Sequence, residues 1–339
     1  MRKLRLLLFP FAGVYYLVTL TRNKLFDAGI LASKQYDVPV ICIGNLSVGG
    51  TGKSPMTEYV TRLLKNNYKI ATLSRGYGRT TKGYKDVAAT SLATEVGDEP
   101  LQFAQKFNDI DVAVCENRQV GIATLLNKKQ TPEVIILDDA YQHRKVTPGF
   151  TVLLTAYNDL YSNDYLLPAG NLREPRSGSQ RADVIIVTKC PGYLSKEEQH
   201  KIKSNLQPTE RQQVFFTKIA YDDCVYSKSG SAQLHSLKVH NVTLITGIAN
   251  PKPLADYLSS DGLSFEHKSY GDHHNFSSSE IAELEKLDCI LTTEKDYVRL
   301  RPQLKMKHLY YLPIKVEFLS DAQVFDKKLL DYVASFKEE

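Results

Sequence analysis

The 339-residue chain has no CxxC pair, no HxxxH spacing, no internal repeat and no low-complexity segment. These gaps exclude the common zinc frameworks, solenoid architectures and largely disordered chains. Its five cysteines (42, 115, 190, 224 and 289) are odd in number and scattered. Cys42, Cys115 and Cys289 lie in apolar runs, which points to buried thiols in a reducing cytosol rather than a disulfide scaffold. The net charge of +5 is too mild to imply a nucleic-acid partner, and none is expected. No apolar run reaches bilayer length. The best candidate, Leu6 to Leu20, is apolar apart from Thr19 but is only fifteen residues long. It would suit a signal-peptide core, but no small-residue cleavage site follows it.

What is present is a glycine-rich loop between two patterned segments. Val40 to Ile43 is a short β-branched run that reads as a buried strand. The loop closes on Gly52-Lys53-Ser54. Met56, Tyr59, Val60, Leu63 and Leu64 then recur at helical spacing, and Pro55 sits where a first helical turn tolerates it. Strand, glycine loop, GK[ST] and helix make a P-loop. Ser47, Val48, Gly49, Gly50, Thr51, Gly52, Lys53 and Ser54 are therefore the candidate ATP-binding residues. Their N–H groups and the helix N-terminus cradle phosphate, Lys53 reaches the β/γ-phosphates, and the Ser54 hydroxyl serves Mg²⁺. Ser47 stands where the strict pattern has Gly, while Gly49 and Gly50 restore the freedom of the loop.

Further strands are expected over Lys69–Leu73, Asp111–Cys115, Glu133–Leu137, Phe150–Thr155, Ala182–Thr188 and Val214–Ile219. Alternation with helices gives a parallel sheet covered on both faces. The fourth strand runs straight into Asp138-Asp139, the Walker B pattern of an acid that holds Mg²⁺. Arg75 and Tyr77, in the Ser74–Arg79 turn past a strand's carboxyl end, lie where open α/β sheets bind ligands. Asp98 and Glu99 open a helix, where acids also occur simply because the dipole favours them. The polar loop from Leu167 to Pro175 carries Asn171, Arg173 and Glu174. Tyr221 to His240 reads as a polar connector. A second α/β unit follows, with strands at Val242–Thr246 and near Phe265, Ile290 and Tyr310, and a packing helix over Ala322–Phe336. His273 and His274 lack the companions a zinc site needs, so a His that orients a catalytic carboxylate is the better reading. The fold class expected is α/β: a P-loop NTPase-like parallel-sheet domain (35–220), a smaller α/β domain (221–339), and an N-terminal membrane-associated helical segment (1–34). In that segment Tyr15 and Tyr16 are expected near lipid headgroups, with the flanking cations on anionic lipid.

GNLSVGGTGKSP (44–55), SRGYGR (74–79), GDEP (97–100), DDAYQHR (138–144), LPAGNLREP (167–175), GDHHNF (271–276) and TTEKD (292–296), in that order behind an apolar N-terminus, resemble the tetraacyldisaccharide 4'-kinase family of Gram-negative bacteria. The departures are small: Ala140 where the family usually has Gly, Asn117-Arg118 where it often has Asp-Arg, and Ser54 for Thr. The resemblance implies transfer of the ATP γ-phosphate to the 4'-hydroxyl of a tetraacylated disaccharide 1-phosphate. It also implies a protein peripheral on the cytoplasmic face of the inner membrane. By motif position it implies an Asp98–His273 catalytic dyad acting with Lys53. The site assigned on this basis has Ser54, Asp138, Asp139 and Glu174 at Mg²⁺, and Arg75, Tyr77, Glu99, Asn171 and Arg173 at the lipid disaccharide. A nucleotide switch that positions water and a non-enzymatic membrane scaffold are the rival readings. The first would turn over ATP without lipid. The second is disfavoured by the intact phosphate and Mg²⁺ residues.

Overall fold

The apolar runs pair into two sheets in a computed structural model that describes residues 5–272 and 274–337. Helix α1 (Phe9–Asp27) comes first, with Pro10 in its opening turn, where a missing N–H costs nothing. The strands of the larger sheet follow: β1 (Val40–Asn45), β2 (Ile70–Ser74), β3 (Lys85–Asp86), β4 (Asp111–Val114), β5 (Val134–Asp138), β6 (Phe150–Ala156), β7 (Val184–Thr188) and β8 (Gln213–Tyr221). Between them run α2 (Lys53–Leu64), α3 (Ala93–Val96), α4 (Asp98–Lys106), α5 (Arg118–Leu126) and α6 (Lys196–Leu206). The smaller sheet holds β9 (Cys224–Ser227), β10 (Gly230–Gln233), β11 (Val242–Thr246), β12 (Phe265–Ser269), β13 (Cys289–Thr293) and β14 (Leu309–Leu312). Helices α7 (Lys252–Ser260), α8 (Ser278–Leu284) and α9 (Glu294–Leu300) accompany it. The chain then returns through β15 (Ile314–Phe318) and α10 (Ala322–Ala334).

The larger sheet has nine strands in the order β15-β8-β7-β6-β1-β5-β2-β4-β3. Its interior is parallel, and only the edge strands β15 and β3 run antiparallel. Every residue of β1 is buried, as expected of a central strand covered on both faces. The alternation of the pleat divides the core. Ile41, Ile43, Ile136, Val152 and Ile186 meet Met56, Val60 and Leu64 of α2 and Phe325, Leu329 and Val333 of α10. Cys42, Leu73, Ile135 and Leu137 face the other way, onto Ile122 and Leu125 of α5. Cys42, Cys115 and Cys289 are all buried free thiols.

The smaller sheet has six strands in the order β10-β9-β14-β13-β11-β12. Tyr221–His240, expected as a connector, instead supplies the antiparallel β9–β10 hairpin, with Val225 fully buried in the second core. The chain crosses between the sheets after Tyr221 and again after Leu312. β15 pairs with β8 from Ile314↔Tyr221 to Phe318↔Thr217. As a result α10, assigned to the smaller unit from the sequence, packs against the larger sheet.

Candidate active site

β1 delivers the chain to the phosphate loop, and α2 carries it away from Lys53. Gly49 (φ 110°) and Gly52 (φ 84°) turn the loop through left-handed backbone that a side chain would strain. The unbonded N–H groups of the first turn of α2 thus open onto the loop. The loop is braced from several sides. Asn45 Nδ2 donates to Thr51 Oγ1 (2.7 Å), Thr188 Oγ1 to the Thr51 carbonyl (2.8 Å) and Lys189 Nζ to the Gly50 carbonyl (2.6 Å). Its outer limb pairs with the Leu167–Pro175 loop: Val48 N donates to the Asn171 carbonyl (2.8 Å) and Arg173 N to the Leu46 carbonyl (2.7 Å). A cradle fixed this way binds anion without first having to be ordered.

β5 lies beside β1, so Asp138 and Asp139 arrive next to the loop. Asp139 takes left-handed backbone (φ 48°), a sparsely populated conformation of the kind found at functional sites. Lys53 Nζ is 3.8 Å from Asp139 Oδ2, and Arg173 Nη2 donates to Oδ1 at 2.8 Å. Burial pushes Asp139 upward, but Lys53, the Arg173 hydrogen bond and Arg118 outweigh it and hold the carboxyl below its ordinary value. The Asp138 carboxylate accepts from the Thr57 hydroxyl, at 3.1 Å. Burial, Glu99 and Asp139 push it up to about 7, against the opposing pull of Lys53. A repelling acid pair beside a phosphate loop fits a divalent cation. Among the described residues there is no cluster of three or more His, Cys, Asp or Glu that could hold a metal. Mg²⁺ does not require one, because it is bound through one or two carboxylates together with phosphate oxygens.

The smaller unit reaches this cleft. Asp98 and Glu99 begin α4, and Glu99 lines the same recess as Asp138, Thr57 and Ser74. Arg299 of α9 is ion-paired with Asp98, Lys295 Nζ lies 2.9 Å from Glu99 Oε1, and Glu294 Oε1 lies 3.0 Å from Lys106 Nζ. Burial, then Lys295 and Lys53, lower the Lys189 ammonium below its ordinary range. The cations of both units therefore share one electrostatic neighbourhood. The dyad partner expected at His273 lies outside the described residues. Its neighbour His274 contacts Glu280 (Nε2 to Oε1, 3.0 Å) and stacks on Tyr270, a local structural use.

The other expected residues divide. Ser54 sits in the first turn of α2, where a hydroxyl can serve the cation. Arg75 is exposed and Tyr77 is 86% exposed, in a turn made by Gly76 and Gly78. Asn171 Oδ1 accepts from Arg5 (2.8 Å) and braces the phosphate loop through its carbonyl. Arg173, expected at the substrate, is turned onto Asp139 and Asn45. Glu174, expected at the metal, is 2% exposed, and both of its oxygens are committed to protein donors. Gln142 Nε2 donates to Oε1 (2.8 Å), and Asn23 Nδ2 (3.0 Å) and Arg181 Nη2 (2.8 Å) donate to Oε2. Its place is a buried clamp between α1 and the loops under the phosphate site.

The inner face of α1 is the polar one. Tyr15, expected near headgroups, donates instead to the Arg173 carbonyl (2.9 Å), while Arg22 donates to the Gln142 carbonyl (2.7 Å). Its outer face is apolar: Phe11, Val14, Leu17 and Val18 are exposed. Among the described residues no helix is long and apolar enough to cross a membrane.

Sequence reasoning missed Thr57, Arg118, Thr188 and Lys189. Arg118, 2% exposed, donates to the Cys115 carbonyl (2.6 Å) and the Asp138 carbonyl (3.1 Å) and so fixes the end of β5. Thr188 and Lys189 stand at the carboxyl end of β7. That position alone marks candidates in a parallel sheet.

A parallel sheet whose central strand feeds a glycine loop and a lysine-led helix, with an acid pair ending the adjacent strand, defines a P-loop phosphotransferase. The family model for tetraacyldisaccharide-1-P 4'-kinase, LpxK, matches residues 4–334, and the chain belongs to that family. It is 50% identical over 336 residues to the tetraacyldisaccharide 4'-kinase of Flavobacterium johnsoniae, covering 98% of each chain. It is 41% identical over 351 residues to that of Bacteroides thetaiotaomicron, covering 96% of this chain and 92% of the relative. Its fold matches a crystal structure of LpxK from Aquifex aeolicus in complex with ATP. The TM-score is 0.79 at 32% identity, over 97% of this chain and 99% of that one.

Proposed function

We propose that this chain transfers the γ-phosphate of ATP to the 4'-hydroxyl of a tetraacyldisaccharide 1-phosphate. The observation that carries the reading is the apposition of Lys53 and the braced phosphate loop with the Asp138–Asp139 pair. Lys53 and the amides of the phosphate loop other than those of Val48 and Thr51, which donate to protein carbonyls, hold the polyphosphate, with charge-assisted hydrogen bonds aimed where charge builds up in the transition state. Ser54, Asp138 and Asp139 would hold Mg²⁺, which supplies neutralisation of phosphate charge. Asp98, at the start of α4 beside Glu99, accepts the proton of the attacking hydroxyl. The sugar oxygen forms its bond to the γ-phosphorus as the bond from that phosphorus to the β–γ bridging oxygen breaks. ADP departs with the electron pair. The inverted helix α1, polar inward and apolar outward, supports a peripheral seat on the cytoplasmic face of the inner membrane. There an acylated acceptor stays in lipid while its sugar reaches the cleft.

The test is transfer of labelled γ-phosphate to purified disaccharide 1-phosphate in mixed micelles, compared with ATP turnover in micelles alone. Label on the lipid, with turnover dependent on it, is the expected result. Lipid-independent release of phosphate would favour a nucleotide switch.

A further inference from the structure

The TTEKD segment and the helix it opens carry no role in the reaction as described so far, yet they face the catalytic carboxylate. Thr293 caps α9 by accepting from Asp296 N (3.2 Å). The fully buried Asp296 carboxylate accepts from Thr293 Oγ1 (2.7 Å) and from Gly247 N at the end of β11 (2.8 Å). The start of α9 is thereby tied to the smaller sheet. One turn on from Lys295, Arg299 reaches across to α4, where both its Nε (3.2 Å) and its Nη2 donate to the same oxygen, Oδ2 of Asp98. The Arg299 side chain is 11% exposed, so little water competes for this contact.

We infer that Arg299 is the positioning residue of the proton acceptor, holding the Asp98 carboxylate at the angle from which it meets the sugar hydroxyl. The inference rests on the assignment of Asp98 in the preceding section. Adhesion between the units has other sources. Lys106 pairs with both Glu58 and Glu294, and Val298 packs into the cluster of Leu101, Phe103 and Phe107. Two N–H groups of the guanidinium fork on one carboxylate oxygen add something different: they pin that oxygen in a placement that a single ammonium would hold less firmly. Because the fork is borne by the smaller unit, the acceptor is aligned when α9 is seated on α4. Misplacing a reacting group by even an ångström costs about 100-fold in rate.

The experiment uses the full chain and reads kcat and the KM for ATP in the lipid phosphorylation assay, with thermal melting alongside. Arg299→Ala should lower kcat about 10- to 100-fold while leaving the KM for ATP nearly unchanged. Added methylguanidinium should restore part of the loss. Arg299→Lys, which keeps charge but loses the fork, should melt like wild type and fall between the two. Wild-type kcat in Arg299→Ala or Arg299→Lys overturns the inference. So does a loss that tracks the melting temperature and ignores methylguanidinium. If Arg299→Ala does not fold, Arg299→Lys decides by the same kcat criterion. Asp98→Asn separates the two claims: full activity in that variant overturns the assignment of Asp98 itself. An inactive Asp98→Asn beside a fully active Arg299→Ala removes Arg299 alone.

Discussion

Lys53 Nζ stands 3.8 Å from Asp139 Oδ2, with Arg173 holding the other oxygen of that carboxylate at 2.8 Å. The lysine that would meet phosphate and the acid that would meet the cation are thus paired before either ligand arrives. Neither has to be recruited from solvent, and Lys53 and Arg173 hold the Asp139 carboxyl below its ordinary value against the opposing effect of burial.

Lys53→Ala should therefore abolish phosphate transfer in a protein that still folds. The residue begins α2 with its ammonium at Asp139, so its loss removes charge from the phosphate site. Near-normal turnover with a normal circular dichroism spectrum would defeat the phosphate-loop assignment.

Glu174→Ala should act on stability first. The carboxylate is 2% exposed and joins Asn23 of α1, Gln142 and Arg181. Removing one partner of a buried ion pair leaves the other charge uncompensated and costs about 3–5 kcal/mol. A large drop in melting temperature with an unaltered Mg²⁺ requirement in the surviving activity is expected. An unchanged melting temperature with a raised Mg²⁺ requirement would return Glu174 to the metal.

The difference between Glu174 and the acid pair explains what was legible in the sequence. Asp138-Asp139 follows an apolar strand directly, so its position depends on neighbours in the chain. The surroundings of Glu174 are set by Asn23, 151 residues away, and a loop acid bound for a metal looks the same in sequence as one bound for burial. Tyr15 misled for a similar reason. An apolar helix with a tyrosine reads as interfacial, but which face docks is decided by Arg173 and Glu174 elsewhere in the chain. The β9–β10 hairpin escaped notice because only Val225 of its strands is buried, too little alternation to register. β15 escaped because Ile314–Phe318 follows β14 across only Pro313 and reads as its continuation, whereas it crosses to the other sheet.

The outward face of α1 gives a prediction about location. Phe11 is 65% and Val18 62% exposed, on a helix whose opposite face is fixed by polar contacts. Phe11→Asp combined with Val18→Asp should weaken sedimentation with anionic-lipid vesicles, because the lost apolar area and the added negative charge both oppose insertion. The KM for ATP should hold, since neither side chain is near the phosphate loop. Unchanged vesicle binding would mean that another surface makes the contact.

The pH dependence of stability supplies the last prediction. Asp138 is pushed up from its ordinary 3.8 to about 7, chiefly by burial, then by Glu99 and Asp139. Between those values the folded state binds a proton that the unfolded state has lost, so stability falls as pH rises through this window. The contribution of Asp138 is fully present below 3.8 and is lost as the pH passes about 7. Without nucleotide and Mg²⁺, the melting temperature of the wild type should therefore decline from pH 5.5 to 7.5 relative to Asp138→Asn, which has no proton to lose. A divalent cation at the pair should flatten the difference, because it stabilises the charged form. Melting curves of the two proteins across this range, with and without Mg²⁺ and a non-hydrolysable ATP analogue, provide the check. Parallel curves without ligand would show that Asp138 is already ionised in the empty site, and the acid pair would then lose its claim to being held apart for a cation.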